Sequence, residues 1–220
     1  MTNRLLRGLL LALPVLCVAA RRGECQELPV FDHQLELFTR LAIEGRVAEA
    51  GVYLGDPAFL HAADRDGHTA LFAAAVAGNL NVLDLVLAQS PQLDLCDVRG
   101  ATALFYSAAG RSEVVERLIQ HGADVNLQDQ TGKSPLMVAV LMNHAGTVGL
   151  LLAAGANVNQ RDHVGATALF YAAEAGLFKM AEQLVKGGAD SRLGDDSGLT
   201  PRLVAAAKPF PKIVELFLRY

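Results

Sequence analysis

The chain has 220 residues, with 19 Lys and Arg against 23 Asp and Glu, for a formal net charge of −4. That mildly acidic balance makes a nucleic-acid partner a poor fit. Apolar residues make up 52% of the chain and Trp is absent, a composition suited to helices packed through small side chains.

Residues 1–20 begin with a short positive region, Arg4 and Arg7, followed by an apolar run from Leu9 to Leu16. They end on the small residues Val18, Ala19 and Ala20. This is the layout of a secretory signal peptide, cut after Ala19 or Ala20. The run is short for a membrane span, which needs about 20 residues. The alternative is a signal-anchor or cytoplasmic start. Neither Cys17 nor Cys25 is preceded by the small residue that a lipidation signal requires. Loss of residues 1–20 would remove two Arg and no acid, leaving 17 basic against 23 acidic residues, a net of −6. Cys25 and Cys96 would remain, two isolated thiols rather than a disulfide framework.

Residues 21–30 read as a linker, and residues 31–220 as repeats. The most complete unit, residues 162–194, opens Asp162-His163-Val164-Gly165-Ala166-Thr167-Ala168-Leu169-Phe170 and turns at Gly176. It continues with an apolar run from Phe178 to Val185 and closes Gly187-Gly188-Ala189-Asp190. The same phrase recurs at Gly67, Gly100, Gly132 and Gly198, so the five glycines are spaced 33, 32, 33 and 33 residues apart. Such a period is the signature of a stacked-repeat architecture. It divides the chain into a degenerate first repeat (31–63), four full ones (64–96, 97–128, 129–161 and 162–194) and a last one (195–220). Helices of about 8 to 10 residues are expected, marginal alone and dependent on neighbours. The unit at Asp97 lacks one residue near Ala109-Gly110, which predicts a shortened first helix or a tighter turn. Asn143 stands where other repeats have the turn Gly, and Asn tolerates a left-handed conformation best after Gly.

At these residues the chain resembles the ankyrin-repeat family, whose pattern is a turn, Thr-Pro-Leu-His-x-Ala-Ala, a second helix and Gly-Ala-Asp-Val-Asn. The closing motif stands at Gly122-Ala123-Asp124-Val125-Asn126 and Gly155-Ala156-Asn157-Val158-Asn159. The sequence departs from the family where His is usual: Phe72, Phe105, Met137 and Phe170 fill that slot. There the family's His ties adjacent turns, and apolar packing is expected to replace it. Ala70, Ala103 and Ala168 stand where Pro is usual. The resemblance implies an all-α solenoid of helix-turn-helix units joined by short β-hairpin loops, non-enzymatic, monomeric and without a cofactor.

No phosphate loop, nucleophile elbow or metalloprotease motif is present. His33, His61, His68, His121, His144 and His163 are singletons, read as surface or capping residues. Asp64, Asp97, Asp129, Asp162 and Asp195 open the turns, where a carboxylate accepts backbone amides. Tyr106 and Tyr171 read as core between repeats.

Function then rests on the surface that the repeats present. The resemblance places partners on the concave face, formed by the turn tips and the open side of each first helix. Those slots are Arg65, Asp66, His68, Val76 and Ala77, then Val98, Arg99, Ala101 and Ala109. Gln130, Thr131, Lys133, Leu141 and Met142 follow, then His163, Val164, Ala166, Glu174 and Ala175, with Asp196, Ser197 and Leu199 last. Val98, Leu141, Met142 and Val164 are apolar where water is expected, and such a stripe marks an interaction site. The chain is thus expected to bind a partner protein, in the bacterial periplasm by similarity to small exported ankyrin-repeat proteins. Alternatives are a secreted effector or inhibitor and an accessory or haem-handling protein for an oxidative-stress enzyme.

Overall fold

The computed structural model describes residues 15–19, 25–29 and 32–220. Val15–Ala19 (β1) and Cys25–Pro29 (β2) pair antiparallel, with Val15 opposite Pro29 and Ala19 opposite Cys25. The expected leader and linker thus contribute one strand each, and the rest of both lies outside the described residues. Two strands alone are marginally stable in water. Every other described element is a helix, and the chain divides into two units, one up to Val98 and one from Arg99 to Tyr220.

The first unit contains α1 (Asp32–Glu44), α2 (Val47–Leu54), the single turn α3 (Pro57–Leu60), α4 (Ala70–Ala77) and α5 (Leu80–Leu87). α1 buries Leu35, Phe38, Leu41 and Ala42, one stripe of an amphipathic helix. Phe38 meets the rings of Phe59 and Tyr53 edge-on, at centroid distances of 5.4 and 6.4 Å. α3 was not foreseen; Asp56 starts it by accepting the Ala58 amide, and Pro57 takes the first helical position. α4 packs between α1 and α5 and buries Ala70 through Ala75, so it is apolar nearly all round.

The second unit contains α6 (Ala103–Ser107), α7 (Ser112–Gln120), α8 (Pro135–Leu141), α9 (Ala145–Ala153), α10 (Ala168–Glu174), α11 (Phe178–Lys186), α12 (Pro201–Ala207) and α13 (Pro211–Arg219). α6, α8, α10 and α12 pack as one row of first helices, and α7, α9, α11 and α13 as a row of second helices. α6 spans five residues, where the missing residue shortens it.

One device starts the first helix of each full repeat and of the last one. Thr69, Thr102, Ser134, Thr167 and Thr200 each cap their helix, the hydroxyl accepting the amide three residues on. The turn between helices is set by left-handed residues, among them Asn143 at φ 60°. At Gly176 the reason is steric as well: a Cβ there would stand 2.6 Å from the Phe210 ring of the next repeat.

The tips are closed by the turn aspartates. Asp64, Asp129, Asp162 and Asp195 each accept, through Oδ1, the amides two and four residues on, at 2.8–3.0 Å. The Gly three residues on donates back to the Asp carbonyl, so each tip is a tight turn. Ladder pairing beyond it is slight; the bridge Ala63–Thr69 is an isolated one. Successive tips are tied by single backbone bonds, Val98 N–H to Asp66 O in the first unit. In the second unit they run Gln130 to Arg99, His163 to Thr131 and Asp196 to Val164.

The slot where the family has His is filled by packing at Phe72, Met137 and Phe170, which are buried, while Phe105 is half-buried. A polar tie nevertheless exists one step earlier in the chain. Gln128 Nε2 donates to Gly132 O in its own tip and to Arg161 O in the next repeat. Arg161 does the same toward Gly165 O and Gly194 O. Asn126 and Asn159 clamp the closing turns, each accepting an amide (Asn157, Asp190) and donating to a carbonyl (Gly155, Gly188) one repeat on. Tyr171 is half-buried and donates its hydroxyl to Asp162, so burial and this bond raise its pKa.

Leu104 and Leu169 are almost fully buried. Leu104→Ala or Leu169→Ala is expected to cost about 2 to 5 kcal/mol in denaturant unfolding, as buried leucines do. A loss near zero would place these side chains outside the core. In the first unit, His68 Nδ1 lies 3.1 Å from Asp64 Oδ2, and its Nε2 lies 3.9 Å from Asp97 Oδ2. The hydrogen bond to Asp64 holds the imidazole pKa above its ordinary value, despite partial burial. Burial alone would raise the Asp64 carboxyl, but the bonds and charge of His68 hold it below. A histidine raised on folding adds stability below about pH 6.5, lost as pH climbs through the raised value. His68→Gln should therefore lower the thermal midpoint more in mildly acidic than in alkaline buffer. A difference that does not change with pH would remove the pair from the stability of this turn.

Candidate docking surface

In the first unit Arg65, Asp66 and Val98 are exposed at the tips, and Val76 is exposed at the end of α4. Val98 is 51% open. Several polar members of the expected surface are already engaged. Arg65 Nε pairs with Asp32 at 2.8 Å, and its amide donates to the same carboxylate, tying this tip to the start of α1. His68 is half-buried against Asp64, with its ring stacked on Phe72 at 4.2 Å. What α4 leaves open is largely apolar.

In the second unit Arg99, Gln130, Thr131, His163, Val164, Asp196 and Leu199 are exposed along the tips, and Lys133 is half-exposed. Leu141 and Met142, at the end of α8, are 44% and 55% open, and Val164 is 60% open. Glu174 is exposed at the matching end of α10, its carboxylate 3.7 Å from Lys208 Nζ. The same ammonium takes the Glu174 carbonyl at 2.7 Å. Arg161 pairs with Asp196 at 2.9 Å, so this tip charge also serves the repeat stack. The hydrogen bonds that space the tips place Thr131, Val164 and Asp196 on successive neighbours in one row.

Ala101 departs from the expectation: it is 1% exposed, and Ala166, in the matching slot, is buried as well. Ala166 joins Phe170 and Val204 in a buried cluster, with its amide held by Asp162. A methyl in that slot ends inside the corner between tip and helix, whereas Lys133 and Leu199 reach outward from it. Ala101 and Ala166 are therefore packing residues, not contact residues.

Two other features went unread in the sequence. Ile43 on α1 is open, and between α1 and α4 lies a cleft of about 510 Å³ whose lining includes Leu35, Phe72 and Val76. The only signal for it is an isoleucine set among the charges Glu36, Arg40 and Glu44. Cys96 is buried. Among the described residues no group of three or more His, Cys, Asp or Glu could hold a metal. His121 serves as a helix cap, its Nδ1 2.8 Å from Arg117 O. No described helix is long and apolar enough to cross a membrane.

The pattern of the ankyrin repeats, in three copies, matches residues 16–129, 89–162 and 136–220. The chain is 34% identical to mouse ankyrin repeat and SAM domain-containing protein 6 over 94 residues, 42% of this chain and 11% of that one. It is 39% identical to protein PhlB of Serratia liquefaciens over 90 residues, 40% of this chain and 38% of that one. It is 48% identical to mouse fibronectin type 3 and ankyrin repeat domains 1 protein over 56 residues, 24% of this chain and 16% of that one. The chain thus spans well under two thirds of these relatives. With repeats at a 33-residue period, paired short helices and tight tips, it belongs to the ankyrin-repeat family, all-α modules of protein–protein interaction.

Proposed function

We propose that this chain is a non-catalytic binding module that docks a partner protein on its tips and on the open ends of its first helices. The observation that carries the reading is the exposure of Leu141, Met142 and Val164 in a unit whose large aliphatic side chains are otherwise mostly inside. Exposed apolar groups on a regular scaffold support docking with an apolar centre and a polar rim. The neighbouring charges Asp196 and Glu174 already have partners within the repeats, which leaves the aliphatic groups to supply contact area.

The periplasm is the compartment that the N-terminal pattern supports, through Arg4, Arg7, the run Leu9 to Leu16 and the small residues up to Ala20. Fractionation of cells expressing the full chain tests it: a shortened product in the periplasmic fraction is expected. A full-length product confined to the cytoplasm would defeat it.

Leu141→Asp and Met142→Asp should each weaken capture of a partner from the producing cell's envelope, read by mass spectrometry. The thermal midpoint should stay nearly unchanged, since both side chains are open. If either substitution unfolds the protein, these residues are core; if capture is unaffected, the docking row lies elsewhere.

A further inference from the structure

In the second unit the helices of one repeat are covered by those of the next, and the cover can be followed slot by slot at the 33-residue period. Phe170 on α10 and Ala181 and Val185 on α11 are buried, Phe170 in a cluster with Val204 of α12. The same slots one period on hold Leu203 on α12 and Val214 and Leu218 on α13. Leu203 is 55% and Leu218 69% exposed, and Val214 is half-buried. Aliphatic side chains thus stand open in slots that the stack elsewhere closes with a pair of helices, where a repeat facing water would carry polar ones.

The charges on this face do not balance. Arg202, in the first turn of α12, stands where α10 has the fully buried Leu169, and Lys212 stands in the first turn of α13. Both are exposed, and neither pairs with a carboxylate among the described residues. Glu215, the one carboxylate of these two helices, is taken by Arg219. Arg202, Lys212 and Arg219 against Glu215 leave α12 and α13 with a net of +2. The helices are joined through the short turn 208–210 and so run antiparallel, which sets the two unpaired cations toward opposite ends of an aliphatic face. A second copy docked through the same face would bring these cations against their own kind, whereas an acidic helix answers both the charge and the slots.

We propose that the outer face of α12 and α13 takes a helix of a partner protein with leucine-type side chains on one side and aspartate or glutamate along its edges. The apolar side covers Leu203, Val214 and Leu218, and the carboxylates meet Arg202 and Lys212. The helix takes the place that a following repeat's helices take on α10 and α11. This face goes beyond the docking row at the tips and α8, and shares no side chain with it.

The test uses the full chain and two labelled peptides of one helical leucine pattern, with glutamate at the polar positions of one and lysine at those of the other. Fluorescence anisotropy should show the glutamate peptide binding at least about tenfold more tightly than the lysine one. The chain as a whole is acidic, so its net charge would favour the opposite order. Leu218→Ser and Arg202→Glu, both at exposed positions, should each weaken the glutamate peptide by about tenfold, and Met142→Asp should not. Equal affinity for the two peptides would overturn the proposal, as would indifference to either substitution or no binding of either peptide. Self-association abolished by Leu218→Ser in sedimentation velocity would give the face to a second copy and overturn it too. Peptide binding lost in Met142→Asp but kept in Leu218→Ser would sink this face and leave the α8 docking row standing. Partner capture indifferent to Met142→Asp, with the peptide results as expected, would sink the row and keep the face.

Discussion

A helix of five to nine residues does not persist alone in water, and α4 through α13 are all of that length. Each must be held from outside, and the chain meets that requirement with a few recurring bonds. A hydroxyl caps each first helix from α4 on, Asp64, Asp129, Asp162 and Asp195 close their tips, and Asn126, Gln128, Asn159 and Arg161 reach one repeat on. Apolar burial between successive helices then supplies the bulk of the stability. The consequence is a scaffold whose parts are ordered by their neighbours, so that a loss in one repeat is felt in the next.

This arrangement also decides which surface groups are available for recognition. The turn aspartates cannot be spared, because each carboxylate satisfies two backbone amides that would otherwise be left unpaired. Arg65, Arg161 and Lys208 are tip or helix-end cations, yet each already pairs with a carboxylate inside its own unit. Changing one of them would alter the stack as well as any contact. Ile43, Val76, Leu141, Met142 and Val164 carry no such second duty. Recognition can vary at these positions without cost to the fold, which is why they are the informative places to look for a partner.

The period, the turn chemistry and the left-handed Asn143 were legible because each follows from a local residue type at a fixed spacing. The tie through Gln128 and Arg161 was not, since the family's own link sits in a slot that here holds Met137 and Phe170. A donor moved to the residue before the tip has no local signature; it becomes visible once the neighbouring carbonyls are placed. Ala101 was misread for a related reason. Its slot points outward for a long side chain and ends inside the corner for a methyl. The cleft between α1 and α4 escaped because it joins residues about one repeat apart, and Ile43 reads as noise on a charged helix face.

The α8 row and the α1–α4 cleft would both hold a partner by apolar contact. Leu141 and Met142 sit at the end of α8 on backbone fixed by the repeat stack, so little ordering cost stands between burial and affinity. Binding there would be governed by apolar area and would respond weakly to salt. The α1–α4 cleft combines an apolar lining with a rim whose carboxylates Asp32, Glu44 and Asp64 are already paired, so it too offers apolar area rather than net charge. A partner held by either surface would therefore stay bound as salt is raised. The same backbone rule that makes the repeats alike thus leaves a few aliphatic side chains free for recognition.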